Sequence, residues 1–281
     1  MQTIIGLGKA GCNIADCFKL YPEYDVLKID VGLKKTKKTL GLKEQPTPEL
    51  YEEKIPRTLN KFLENVNEET LFITSCGSVS SASLRILEKI KDKTKITVMY
   101  IIPSQEGLSD IQKLQNNTLF NVLQQFARST LFEKIILLDN SKISDIIGPV
   151  PILNYWESIN QMIASTYHMI NVFEHSMPVF TTFTKRVKTA RMCTIGFDKF
   201  DEEEEKSFFS LDIPREKRYY YAIPHSVLEQ DSMLMNKIKG QVRDSIEHDR
   251  MKVGYAVYPT EYDQTYIYWE SNSSLIQKLV S

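Results

Sequence analysis

Ile5-Gly6-Leu7-Gly8-Lys9-Ala10-Gly11-Cys12-Asn13 is the stretch on which the reading of this chain turns. It follows a short strand-like run, Gln2 to Gly6, and opens a helical segment, Asn13 to Leu20. Glycine lets a backbone turn tightly and approach a ligand closely. A helix amino terminus offers unpaired N–H groups and a partial positive charge to an anion. A Gly-x-Gly-x-x-Gly pattern between strand and helix therefore points to a nucleotide, while the same glycines also suit plain packing of helix on strand. A second loop, Thr74-Ser75-Cys76-Gly77-Ser78-Val79-Ser80-Ser81-Ala82, again lies between strand and helix. Two such turns can grip one phosphate chain from both sides. Asp30, at the end of a second strand, falls where a dinucleotide site places its acidic residue, about 20 positions on.

Outward from these loops the first half alternates. Strands are predicted at Tyr24–Val31, Glu69–Ser75, Lys95–Pro103 and Glu133–Leu138. Helices are predicted at Thr58–Val66, Ala82–Ile90 (with Leu84, Leu87 and Ile90 on one side) and Ser109–Phe126. Strands separated by helices make an α/β fold with a mostly parallel, Rossmann-like sheet. Lys34 to Pro48, rich in Lys and Thr, reads as a loop. A Gly-Pro-Val-Pro break at 148–151 precedes one long central helix, Asn154 to Phe173, striped with Trp156, Ile159, Ile163, Tyr167 and Ile170. The last third changes to clustered strands: Val179–Thr184, Ala190–Phe197, a Tyr-rich Arg218–Ile223, and an apparent hairpin of Lys252–Tyr258 and Gln264–Trp269, with an amphipathic helix over Gln230–His248. The expected organisation is a domain over 1–173 and a smaller α+β domain over 174–281.

The 281 residues are 42% hydrophobic and 25% charged, the balance of a globular protein rather than a disordered one. A formal net charge of −1 argues against nucleic-acid binding, and no apolar run reaches the length of a membrane span. The amino terminus has no secretion-signal pattern. Cys12, Cys17, Cys76 and Cys193, like the four histidines, make no metal-ligand spacing, so free thiols in the cytoplasm are expected and no zinc.

In their order along the chain these features resemble the tubulin/FtsZ superfamily, over most of the sequence. The turn from Gly6 to Asn13 resembles that family's first phosphate loop, through Gly6, Gly8, Lys9, Ala10, Gly11, Cys12 and the closing Asn13. Asp30 resembles the end of its Asn-Thr-Asp loop. Pro103 with Glu106-Gly107 resembles the next loop, and Asp139-Asn140 the strand end that reads Pro-Asn-Asp. Asn160 stands where the family places a guanine-reading Asn, and Trp156, four residues earlier, is placed either to stack on the base or to pack in the core. The resemblance implies that GTP or GDP, with Mg2+, is held by these residues together with Gly77, Ser78, Val79, Ser80 and Ser81. It also implies head-to-tail self-association with the nucleotide at the subunit junction.

Two departures qualify the expectation. The family's glycine-rich signature loop is here Cys76 to Ala82, with Gly77 as its single glycine; a positive φ at Val79 would cost about 1–2 kcal/mol. The family's acidic catalytic loop is here His175 to Arg186, without an Asp or Glu, so nothing there orients a water and hydrolysis is expected to be slow or absent. Lys185 or Arg186 would sooner hold a neighbour's phosphate. The alternative is a relative that has lost the nucleotide and acts as a structural or partner-binding protein. A dinucleotide-dependent enzyme rests on the first turn alone. The chain ends soon after Trp269, without the adaptor-recruiting tail of FtsZ, so ordinary cell division is not the expected role.

Overall fold

The computed structural model describes residues 1–104, 108–200 and 205–279. Glu106 and most of the acidic run at 201–205 lie outside the described residues. The chain forms two compact units, Met1–Ala164 and Ser165–Gln277.

The first unit is built on six parallel strands. These are β1 (Gln2–Leu7), β2 (Tyr24–Val31), β3 (Thr39–Leu42), β4 (Glu69–Ser75), β5 (Lys95–Ile102) and β6 (Lys134–Asp139), in the spatial order β3-β2-β1-β4-β5-β6. β1 is buried along its whole length, as a central parallel strand covered on both faces must be. The helices are α1 (Gly8–Cys17), α2 (Pro48–Glu53), α3 (Leu59–Phe62), α4 (Ser83–Ile90), α5 (Asp110–Arg128), α6 (Asn140–Ile147) and, as far as Ala164, α7 (Tyr155–Glu174), whose remainder belongs to the second unit. A capping box fixes the start of α5: Gln112 N–H donates to Ser109 Oγ (3.3 Å) and Ser109 N–H to Gln112 Oε1 (2.9 Å). The chain passes from β1 outward to β3, then returns to place β4 on the other side of β1. That reversal makes the carboxyl ends of β1 and β4 the topological switch point, where such sheets bind ligands.

The second unit is a mixed sheet. Its strands are β7 (Phe180–Thr181), β8 (Met192–Lys199), β9 (Pro214–Pro224), β10 (Lys252–Thr260) and β11 (Tyr266–Ser273), ordered β8-β11-β9-β10-β7. α8 (His225–Gln230) and α9 (Leu234–Asp244) link β9 to its parallel neighbour β10. β9 carries three consecutive buried tyrosines. Tyr219 and Tyr221 join Leu234 and Ile238 of α9 in one apolar cluster. Tyr220 faces the other way and stacks with Phe173 at the end of α7 (6.3 Å).

Several expectations are corrected. The loop at 34–48 contains β3, which runs parallel to β2. The helix at 58–66 is a single turn, α3. Leu84 is half-buried, and Ser83, Ile86, Leu87 and Ile90 form the inner face of α4. Residues 140–147, for which no element is predicted, form α6, begun by Asp139, whose Oδ1 accepts from Ser141 N–H (2.8 Å). The helix expected over 230–248 is shorter, α9 from Leu234 to Asp244, and a separate short helix, α8 (His225–Gln230), precedes it; Asp231 Oδ1 accepts from Met233 N–H (2.9 Å) in the link between them. β10 and β11 are no hairpin: β9 lies between them, parallel to one and antiparallel to the other. Among the described residues no helix is long and apolar enough to cross a membrane.

Candidate functional site

Both loops singled out in the sequence lie at the switch point, one after β1 and one after β4. The three glycines of the first turn do different work. A Cβ on Gly6 would meet the Gly11 carbonyl oxygen at 2.4 Å, and one on Gly11 would meet that of Ile73 at 2.4 Å. These two are packing glycines that seat α1 on β1 and β4. Gly8 has φ +71°, and a Cβ there would find nothing nearer than Val79 and Ser80, both at 3.9 Å. Gly8 is thus bare backbone turned toward the second loop.

α1 begins with no side-chain cap and no acid in its first turn, so its leading N–H groups and dipole have no local counterpart. The second loop makes a 3-10 turn, Ser78–Ala82, that runs into α4 and is likewise uncapped and free of acids in its first turn. Only Gly77 in it has positive φ, at +147°, so Val79 bears no left-handed strain among the described backbone. This shape differs from the one a glycine-rich loop would take. It also commits hydroxyls internally: Thr74 Oγ1 donates to Ser80 Oγ (3.2 Å), Ser83 Oγ to the Ser80 carbonyl (2.6 Å) and Ser75 Oγ to the Ile101 carbonyl (2.7 Å). Ser78 is exposed and Ser81 half-buried.

Asp30 ends β2, where its carboxylate accepts from Val31 N–H (2.8 Å). Burial raises its pKa, and the Lys9 ammonium acts in the opposite sense, which places Lys9 and Asp30 within electrostatic reach. Asn140 opens α6, and its Oδ1 is buried without a hydrogen-bond partner. An orphaned buried acceptor of this kind marks a place for a donor. Trp156 and Asn160 share one face of α7, four residues apart. Trp156 is 59% exposed, so it is not part of the buried stripe that Ile159 and Ile163 begin. The Glu157 carboxylate acts on the Cys17 thiol, which brings the first turn of α7 beside the last turn of α1.

No protein-family model matches the sequence, and no curated protein sequence matches it. Solved structures do. TubZ of Bacillus thuringiensis serovar israelensis, in a GTPγS-form protofilament, superposes with TM-score 0.75 at 16% identity, over 99% of this chain and 88% of that one. CetZ2 from Haloferax volcanii, in a GTPγS-bound protofilament, gives 0.71 at 11%, over 96% and 92%. An empty FtsZ dimer of M. jannaschii gives 0.69 at 12%, over 96% and 87%. The chain has the tubulin/FtsZ fold.

Within that fold Gly8, Val79 and Ser80 come together. Ala10 is half-buried and Asn13 exposed on α1. Cys12 points inward: its Sγ lies 3.4 Å from the Gly6 carbonyl and 3.6 Å from that of Ile29. Burial, with the nearby Asp30 charge, pushes its thiol up to about 12, so it is an inert packing group. The hydroxyl network of Thr74, Ser75 and Ser83 was not legible in the sequence, because a Ser-rich loop does not announce which hydroxyls turn inward.

In the second unit, Glu174 accepts from Tyr220 Oη (2.7 Å) and from Arg186. Arg186 also donates to the fully buried Glu270. Arg186 is therefore turned into the protein, which leaves Lys185, exposed, as the outward cation of the pair expected there.

Proposed function

We propose that this chain binds a guanine nucleotide at the β1/β4 switch point and self-associates head to tail, with hydrolysis slow or absent. The observation that carries the reading is the open face of Gly8, turned toward Val79 and Ser80 between two uncapped helix starts. The residues present fit a phosphate chain. The N–H groups of α1 and of the 78–82 turn supply donors, Lys9 supplies charge, and Gly8 allows close approach. Trp156 and Asn160, beside the far end of α1, are placed for a base, and the orphaned Asn140 Oδ1 for a donor on the nucleoside. A triphosphate bound at a junction contributes its charge there and strengthens the contact by linkage. The contact is heterologous and does not close, so it builds filaments.

Slow hydrolysis follows from what surrounds a candidate water. Segment 175–186 holds no carboxylate, and Glu174 is engaged by Tyr220 and Arg186. No free carboxylate is left there to take a proton from water or to orient it. The inward hydroxyls of Ser80 and Ser83 favour the second reading, a structural subunit that has lost the nucleotide.

Light scattering and negative-stain microscopy with GTP, GTPγS, GDP or no nucleotide test the proposal. Filaments that form with GTP and persist for hours are the expected result. Filaments that are indifferent to nucleotide would select the structural reading.

A further inference from the structure

A cleft of about 330 Å³ opens in the first unit, away from the switch point. It lies toward the amino ends of β5 and β6, since Lys91 follows α4 ahead of β5 and Phe132 precedes β6. Neither the glycine turn at 8–13 nor the loop at 74–82 lines it. Its walls are Leu84 and Leu87 of α4, Phe126 at the end of α5, and Leu131 and Phe132 beyond it. Leu87 and Phe132 are buried, and Leu131 is 41% exposed. Cavities of ~300–1,000 Å³ with mainly apolar walls and a few fixed polar groups have the size and make-up that take small ligands.

The turn that carries Leu131 is fixed and strained. Leu131 N–H donates to the Phe126 carbonyl (3.1 Å) and Thr130 N–H to that of Ala127 (3.1 Å), the two bonds that close a helix through a left-handed residue. Glycine is usual at that place. Here it is Thr130, at φ +69°, a β-branched residue in a region it rarely adopts. In such a turn the side chain at 131 packs over the one at 126. Both line the cleft, and Leu131 is left partly uncovered. The rings of Phe126 and Phe132 meet edge to face (6.2 Å), which holds the aromatic wall in place.

The rim carries Glu52, Arg85, Glu88 and Lys91. The first three are engaged with one another: Arg85 Nη1 donates to Glu88 (3.1 Å), and Arg85 Nε lies 3.6 Å from Glu52. Lys91 is exposed, makes no ion pair among the described residues, and acts on Glu88 only at longer range. The Leu87 and Ile90 carbonyls in the last turn of α4 already accept from Lys91 N–H (3.0 Å) and from Lys93 and Thr94 N–H (2.9 and 3.2 Å). The acids and carbonyls of the rim are thus answered within the chain, and one cation is not. That asymmetry favours a guest whose polar end is an anion.

We propose that this cleft is a ligand site separate from the switch point, for a small molecule with an apolar body and a carboxylate. The body lies between the leucines of α4 and the wall of Phe126, Leu131 and Phe132, and the carboxylate meets the Lys91 ammonium. Burial of the body supplies most of the affinity, and the ion pair at the open rim sets which end faces out. The site does not depend on the nucleotide reading above.

Octanoate is the probe, and a methyl NMR titration of the full chain without nucleotide is the readout. Saturable shifts at the Leu84, Leu87 and Leu131 methyls are expected. Octanol and octylamine, which share the octyl chain, bind more weakly by at least about three- to fivefold, the share of an ion pair at an exposed rim. Lys91→Gln loses about the same factor for octanoate and leaves octanol unchanged. Leu131→Trp fills the cleft from its open wall and abolishes saturation by octanoate. Shifts that do not saturate, or that scatter over methyls elsewhere, overturn the proposal, as does octanoate binding unchanged in Leu131→Trp. Octanol or octylamine binding as tightly as octanoate, or octanoate binding unchanged in Lys91→Gln, overturns the carboxylate. Lys91→Gln alters only an exposed side chain, so the charge comparison stands even if Leu131→Trp fails to fold.

Discussion

Gly8→Ala and Gly11→Ala separate the two jobs assigned to the first turn. At Gly11 the new Cβ would sit 2.4 Å from the Ile73 carbonyl oxygen, a distance that forces α1 away from β4. Overpacking against backbone costs about 1–3 kcal/mol and more when neither side can yield. At Gly8 the Cβ has room, with 3.9 Å to its nearest neighbours, and the cost is the left-handed φ of +71°. That strain is about 1–2 kcal/mol, or about 2–8 °C in Tm for a domain of this size. The two variants are compared by thermal melting and by GTP titration calorimetry. Gly11→Ala is expected to be the less stable. Gly8→Ala is expected to remain folded yet to lose at least about tenfold in GTP affinity, about 1.4 kcal/mol, because its methyl group occupies the approach of a phosphate. Unchanged GTP affinity in Gly8→Ala would refute the assignment of that face, and a Gly11→Ala protein as stable as the natural one would refute the packing account.

Further outcomes follow from single groups. Arg186→Met takes the Arg186 guanidinium away from the buried Glu270, whose Oε1 still accepts from the Asn272 amide (2.8 Å), and a loss of about 3–5 kcal/mol in urea unfolding is expected; a loss under about 1 kcal/mol would contradict the clamp. The Cys12 thiol, pushed up to about 12 from 9.0, stays protonated in the fold while the unfolded chain ionises above pH 9. The folded state then binds more protons, so stability falls by about 1.4 kcal/mol per pH unit between pH 9 and 12 from this group alone, and the buried tyrosines of β9 add to the fall above pH 10. Urea midpoints that match at pH 8 and pH 10.5 would exclude this. Trp269 is buried with its Nε1 donating to Asp198 (2.6 Å), so any change in Trp emission on adding GTP is assigned to exposed Trp156 and is expected to vanish in Trp156→Phe. Thr181→Asp with Thr184→Asp restores acids to the 175–186 segment, and GTP turnover above that of the natural chain is expected; none, in a protein that still binds GTP, would mean that the missing carboxylate is not the whole cause.

The parallel half of the fold was legible because each strand is a compact apolar run: β2 and β4 lie at the boundaries their sequences suggest. β3 was hidden by its shortness and by the Lys and Thr around Thr39–Leu42. The strand order of the second unit was hidden for a different reason. Adjacent runs suggested a hairpin, but β9, buried on both faces by Tyr219, Tyr220 and Tyr221, takes the central place and separates β10 from β11. Within the site, the spacing of the glycines marked the turn without saying which glycine faces outward. Only the contacts of Gly6 and Gly11 with carbonyl oxygens assign them to packing. Trp156 fits the helical stripe by spacing, yet the Pro-rich link before α7 leaves its first turn in the open.

The most direct measurement is calorimetric titration of the purified protein with GTP, ATP and NAD in parallel, each with magnesium, at concentrations too low for assembly. The account predicts that GTP binds and that ATP and NAD do not. No heat from any of the three, or binding of NAD instead of GTP, would contradict it.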